Sequence, residues 1–196
     1  MPTGRPDPEL LAGWRAGDTA AGDELVTRYW TGIARFFRHK IGDDGADLIS
    51  QTFLACVETD APIDSVKAFL FAVARRRLVD HFRKRARAPQ LDVAASSLAD
   101  LNTGPVTELD RQQRAAWLRR ALARIPLDDQ IALELTYFEG LSHGELARVL
   151  DVADNTVRSR LSRARDKLRA ALAELAPPAE AALAESQLDG PPGARD

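Results

Sequence analysis

Apolar residues recur every three or four positions along most of the chain, the spacing of one helical face. Residues 8–17 predict a short helix with Leu10, Leu11 and Trp14 on one side. Asp7 is its expected cap, Pro8 its first-turn proline, and Gly17-Asp18 its end. Leu25, Tyr29, Ile33 and Phe36 or Phe37 predict a second helix from Asp23 to Lys40, closed by Gly42. A third runs from Asp44 to about Val57, with Leu48, Thr52, Ala55 and Cys56 roughly along one side. Its acids sit near its start, where the helix dipole favours them. Ser65 to about Arg87 is the longest helix of this half, with Val66, Phe69, Leu70, Val73, Ala74, Leu78 and Phe82 as its apolar set.

Ala88-Pro89 breaks that pattern. Residues 89–106, rich in Ala, Ser, Asp and Gly, read as a flexible linker, because so long a structureless loop is unusual inside one compact domain. The second half resumes with helices from about Val106 to Ala123 and from Asp128 or Asp129, as cap, to Phe138 and Gly140. Ser142-His143-Gly144-Glu145 fits a capping box that opens a helix to Leu150. Asp151 to Asp154 makes a turn. Asn155 or Asp154 caps a last helix over 156–175, with Val157, Leu161, Ala164, Leu168, Ala171 or Leu172, and Leu175 in line. Pro177-Pro178 stops it. The expectation is an all-α chain of two small helical domains, residues 7–87 and 109–176, with a linker over 88–108 and a disordered tail over 177–196.

Composition narrows the class. The chain has 196 residues, and no run approaches the 18 apolar residues of a membrane span. Met1 to Asp7 lacks the features of a signal peptide, so the sequence reads as cytoplasmic. One cysteine, Cys56, excludes an intramolecular disulfide framework, and with three scattered histidines it argues against a structural zinc site. No cofactor or metal is expected. Cys56, in an apolar run, reads as a small buried hydrophobe rather than a nucleophile. His39, His81 and His143 have no acid at a diagnostic spacing, and there is no glycine-rich phosphate loop or catalytic carboxylate pair, so no catalytic residue is assigned.

The net charge of −2 conceals a strong segregation. Residues 41–64 hold six acids and no Lys or Arg, whereas 75–87 hold Arg75, Arg76, Arg77, Arg83, Lys84, Arg85 and Arg87 against Asp80 alone. Residues 156–169 carry Arg158, Arg160, Arg163, Arg165, Lys167 and Arg169 against Asp166. Two compact basic blocks between acidic stretches suggest two surfaces for a polyanion.

The second block lies on the later helix of a helix-turn-helix spacing. Ala147 allows close approach of the two helices, and Leu146, Leu150, Val157 and Leu161 supply core contacts. Arg158, Ser159, Ser162, Arg163 and Arg165 are then available to a major groove. Residues at the helix start reach base edges and flanking ones reach phosphate. The helix N-terminus around Thr156 can itself hold a phosphate. The first block is interleaved with aromatics, as single-stranded nucleic acid requires for stacking beside neutralised phosphates. Phe69 and Phe82 fit either a core position or a stacking platform; Phe71 is expected to be exposed.

At these residues the chain resembles a bacterial RNA polymerase sigma factor of the sigma-70 family, extracytoplasmic-function (ECF) subfamily, built from region 2, a linker and region 4. Tyr137-Phe138-Glu139-Gly140-Leu141-Ser142, Glu145-Leu146-Ala147 and Thr156-Val157-Arg158-Ser159-Arg160-Leu161 followed by Arg163-Ala164-Arg165 resemble region 4.2. Ala16-Gly17-Asp18, Tyr29, Asp44, Asp47-Leu48 and Thr52-Phe53-Leu54 resemble the opening helices and region 2.2. Phe69-Leu70, Ala74-Arg75, Asp80 and Arg83-Lys84 resemble regions 2.3 and 2.4.

The resemblance implies a promoter-specific initiation factor that binds core polymerase and assists promoter melting. Asp44, Asp47, Leu48, Gln51, Thr52 and Phe53 would meet the clamp helices of the polymerase's largest subunit. Phe71, Arg75, Arg76, Arg77, Asp80, His81, Arg83 and Lys84 would hold the opened −10 element. Asn155, Thr156, Arg158, Ser159, Arg160, Ser162, Arg163 and Arg165 would read the −35 element, with the flap of the second-largest subunit nearby. An anti-sigma protein is a further implied partner. The chain departs from the family pattern at Ala46 for an acid, at Ser50-Gln51 for a Gln-Glu pair, at Phe69 for Trp, at Arg76 for Asn, and at Asp151 and Ala153 for Gly and Pro. One alternative is a conventional helix-turn-helix regulator that binds duplex operator DNA without polymerase. Another is an adaptor that binds polymerase and initiates nothing.

Overall fold

The computed structural model describes residues 4–87 and 116–175, without the side chains of Asp43 and Arg87. The linker and tail expected over 88–108 and 177–196 lie outside these residues. The chain divides into two compact units, Met1–Ala94 and Ala95–Asp196. All regular structure among the described residues is helical, in agreement with the all-α expectation.

The first unit contains α1 (Asp7–Arg15), α2 (Thr19–Ile41), a 3-10 turn (Gly42–Gly45), α3 (Ala46–Glu58) and α4 (Val66–Arg87). Asp7 does not cap α1, which starts after Pro6. The Asp7 carboxylate instead pairs with Arg28 at 2.5 Å and accepts from the Tyr29 hydroxyl, tying α1 to α2. The start of α2 precedes its first large apolar residue because Asp18 caps it, Oδ1 accepting from the Ala21 N–H at 3.1 Å. That hydrogen bond, followed by the one from Arg5, holds the Asp18 carboxyl below its usual range. Gly22 lets α1 approach closely, since a Cβ there would fall 2.6 Å from the Trp14 indole. Gly42 ends α2 at φ 62°, a left-handed φ that suits glycine.

The helix expected from Asp44 begins at Ala46, after the 3-10 turn. Ser65 caps α4, its Oγ accepting from the Ala68 N–H at 3.2 Å. Val66, Leu70, Ala74 and Leu78, four apart, form the buried stripe of α4, widened by Ala68 and Phe71 because α4 packs on both α2 and α3. Phe36 meets Phe37 and Phe71 edge to face at 5.5 and 5.9 Å, and this trio fills the centre of the unit.

The second unit contains α5 (116–122), α6 (Leu127–Tyr137), α7 (His143–Leu150) and α8 (Asp154–Leu175). Neither Asp128 nor Asp129 caps α6, which starts after Pro126; both lie in its first turn. After Phe138, Gly140 at φ 61° lets the Leu141 N–H reach back to the Leu135 carbonyl at 3.0 Å. The Ser142–Glu145 capping box is present in full. Asp151 takes the left-handed conformation at φ 56°, ψ 52°, and the Val152 N–H closes the turn on the Ala147 carbonyl at 3.1 Å. The turn is shorter than expected: α8 starts at Asp154, so Asp154 and Asn155 belong to its first turn rather than capping it. Leu135, Leu146, Val157, Ala164 and Leu168 make the core.

Candidate nucleic-acid and protein interfaces

The apolar line of α8, from Val157 to Leu172, is turned inward against α6 and α7. The opposite face must therefore meet solvent. Asn155, Arg158, Ser159, Ser162 and Arg163 are exposed on it, while Thr156, Arg160 and Arg165 are half-buried at its edges. Local bonds hold this face in place. The Ser159 hydroxyl donates to the Thr156 carbonyl at 2.9 Å, and Arg163 Nε donates to the Ser159 carbonyl at 3.2 Å. Arg158 and Arg165 make no ion pair with any described residue. Arg160 differs from the expectation that it faces DNA, because its guanidinium pairs with Asp128 of α6 at 3.4 Å.

The basic block of α4 is built differently. Phe71 is not exposed as expected: it is 1 % exposed, and its ring is part of the aromatic core. It falls on the inner face because α4 is covered from two sides. Phe69 is half-exposed and lines an open groove of about 470 Å³ between α3 and α4 with Ala72, Val73, Arg76 and Asp80. Glu58 and Thr59 also line it. Arg76 is exposed at the groove, whereas Arg77 is tied to α3 through Gln51 Oε1 at 2.8 Å and the Gln51 carbonyl at 3.1 Å.

Asp80 is 3.6 Å from Arg83, and Asp44 is 3.7 Å from Arg85. Lys84 is exposed, and Arg75 is half-buried. His81 turns inward, its Nε2 enclosed without a hydrogen-bond partner and its ring 5.9 Å from Phe82, itself half-exposed.

Among the six residues expected to meet polymerase, Asp44, Asp47 and Gln51 are exposed and Leu48 is half-buried. Thr52 and Phe53 are buried, a correction to the expected set. Thr52 Oγ1 donates to the Leu48 carbonyl at 2.6 Å, and Phe53 stacks on Trp30 at 6.2 Å. An apolar patch that the pattern reading missed stands beside them: Trp30, Leu54 and Val57 are the exposed large hydrophobics of the described residues. Leu54 and Val57, three apart on the polar side of α3, were its visible signal. Cys56 is fully enclosed, and burial pushes its thiol up to about 12.

A family model described as sigma-70, region 4, matches residues 115–168, which cover α5, α6, α7 and most of α8. The chain is 30 % identical over 173 residues to the ECF RNA polymerase sigma factor SigM of Mycobacterium tuberculosis (strain H37Rv), covering 84 % of this chain and 83 % of that protein. It is 32 % identical over 170 residues to the RNA polymerase sigma factor NccH of Alcaligenes xylosoxydans, covering 80 % and 89 %. The solved structure of CnrH in complex with the cytosolic domain of CnrY superposes with a TM-score of 0.63 at 25 % identity, covering 87 % of this chain and 99 % of that one. With both halves of the family pattern present in order, and relatives matched across most of their length, the chain belongs to the extracytoplasmic-function sigma factors of RNA polymerase.

Proposed function

We propose that this sigma factor works by dividing two kinds of DNA recognition between its two units. The observation that carries the reading is the contrast between α8, whose exposed face is polar and cationic without aromatics, and α4, whose cations border a mixed polar and apolar groove with Phe69 in its wall. A bare cationic helix in a helix-turn-helix suits the major groove of duplex −35 DNA, with Asn155 and Thr156 near base edges and Arg158, Arg163 and Arg165 on bases or phosphate. An aromatic-walled groove beside Arg76 suits unpaired −10 bases. Binding the unpaired strand better than duplex shifts the opening equilibrium toward the melted promoter.

The face of α3 that carries Asp47, Gln51 and Leu54, with Trp30 beside it, is the docking surface for core polymerase. An anti-sigma protein would act by covering the same face; the related CnrH was solved in complex with a protein, the cytosolic domain of CnrY. Phosphodiester synthesis belongs to the polymerase. The protonated, enclosed Cys56 and the dispersed His39, His81 and His143 offer no rival chemistry. The protein acts where the polymerase is, in the cytoplasm.

The test is run-off transcription by purified core polymerase on fragmented DNA of the source genome, with and without this chain. New start sites that share two upstream elements are the expected result. Tight binding to duplex DNA without polymerase, and no new starts, would make the chain a conventional regulator instead.

A further inference from the structure

The cations of α8 fall on two flanks. Arg158 and Arg165 are seven residues apart, two helical turns, and therefore share one flank; Arg160 and Lys167 share the other by the same spacing. On the first flank, Arg158 and Arg165 have no ion pair with any described residue, and Arg169, one turn further on, pairs within the helix with Asp166 at 3.2 Å. The second is neutralised at both positions by consecutive acids from the first turn of α6. Arg160 Nη1 lies 3.4 Å from Asp128 Oδ2, and Lys167 Nζ lies 2.6 Å from Asp129 Oδ2. Asp129 is only 10 % exposed, so its carboxylate has little water to fall back on and holds its ammonium partner closely. A third pair, Arg124 with Glu174 at 2.8 Å, fixes the far end of α8 with the polarity reversed, the acid being on α8.

A recognition helix lies between two phosphate backbones, and cations on both flanks would attract any duplex whatever its sequence. Each phosphate contact strengthens specific and non-specific binding alike. We propose that Asp128 and Asp129 are positioning residues that set −35 specificity, by holding Arg160 and Lys167 on α6 and confining phosphate attraction to the Arg158–Arg165 flank. The inference rests on the reading that α8 enters duplex −35 DNA. Acids that would serve as ordinary helix caps by sequence are, in this fold, a shield over two of the six α8 cations.

The experiment measures binding of the full chain to two short duplexes by fluorescence anisotropy across a KCl series. One duplex carries the −35 element found by run-off mapping, and the other is unrelated. Asp128→Asn releases Arg160 and should steepen the plot of log affinity against log salt by about 0.9, one further phosphate. It should also raise affinity for the unrelated duplex roughly five- to tenfold at low salt and so reduce the preference for the −35 duplex. Arg160→Gln should leave the slope where it is, and the double variant Asp128→Asn with Arg160→Gln should return to the parental slope.

Arg160→Gln flattening the slope would overturn the proposal, because Arg160 would already be on phosphate. A fall in Tm for Asp128→Asn with an unchanged slope would also overturn it, leaving a purely structural ion pair. Arg158→Gln is the control for the underlying reading. It should flatten the slope by about 0.9, and if it changes nothing, α8 is not the DNA-facing helix at all. Should Asp128→Asn fail to fold, the Arg160→Gln arm still decides.

Discussion

Two helices of this protein have the same length, 22 residues, and a similar density of arginine, yet they present that charge in opposite ways. In α4 three of the cations are braced, Arg77 on Gln51, Arg83 beside Asp80 and Arg85 beside Asp44, with Phe69 and a groove in their midst. In α8 the brace from a neighbouring helix falls on one flank, Arg169 pairs with Asp166 within the helix, and no aromatic residue occurs along it. Counting charge would make the two blocks equivalent. What separates them is the company the charge keeps, and on the proposed reading that company would suit splayed bases in the one case and an intact duplex in the other.

Phe71→Ala tests this contrast most severely. As a core ring it should cost about 3–5 kcal/mol of stability in the first unit, seen as a large drop in Tm; a stable protein defective only in promoter opening would restore Phe71 to the DNA surface. Next in size is Phe69→Ala, for which loss of one base–aromatic stack predicts about 1–3 kcal/mol weaker binding of single-stranded −10 DNA. Docking on polymerase and duplex −35 binding should stay at the parental level, and permanganate footprinting reports the melted bases directly. Arg158→Ala should show the reverse profile, losing about 1–3 kcal/mol on duplex −35 DNA while single-strand binding holds.

Ser142→Ala removes the cap of α7 and should lower the stability of the second unit by about 1 kcal/mol, read by denaturant unfolding. The smallest effect is on pH. Asp18 has a lowered pKa in the folded state, so its contribution is present above the ordinary carboxylate pKa and is lost as pH falls through the folded value. An Asp18→Asn variant should therefore show a shallower acid limb of Tm against pH than the parent.

The helices themselves were legible because their apolar period is strong: the lines through Leu25 to Phe37 and Val157 to Leu172 survive almost unchanged as buried faces. The capping box at Ser142 and the left-handed Asp151 were local chemistry and could be read as such. The errors arose where a distant partner outweighed a local preference. Asp7, Asp128 and Asp129 look like caps next to a helix start, but each is claimed by a cation or hydroxyl more than 20 residues away. Phe71 lies one step from Leu70 on α4, and only the presence of α2 as well as α3 makes the buried arc wide enough to include it. At the sites, the basic blocks were visible, whereas the groove and the shielded flank of α8 needed neighbouring helices that spacing does not specify.

The single thiol has a practical consequence. Cys56 is enclosed in the first unit and protonated far above neutral pH, so the folded chain should be silent toward maleimide or iodoacetamide. A cysteine introduced at an exposed position such as 158 or 76 would then react alone, giving a one-dye reporter without first engineering the background. The same silence turns residue 56 into a clock: each modification event records an opening of the first unit, and its rate with and without core polymerase would measure how firmly docking holds that unit shut.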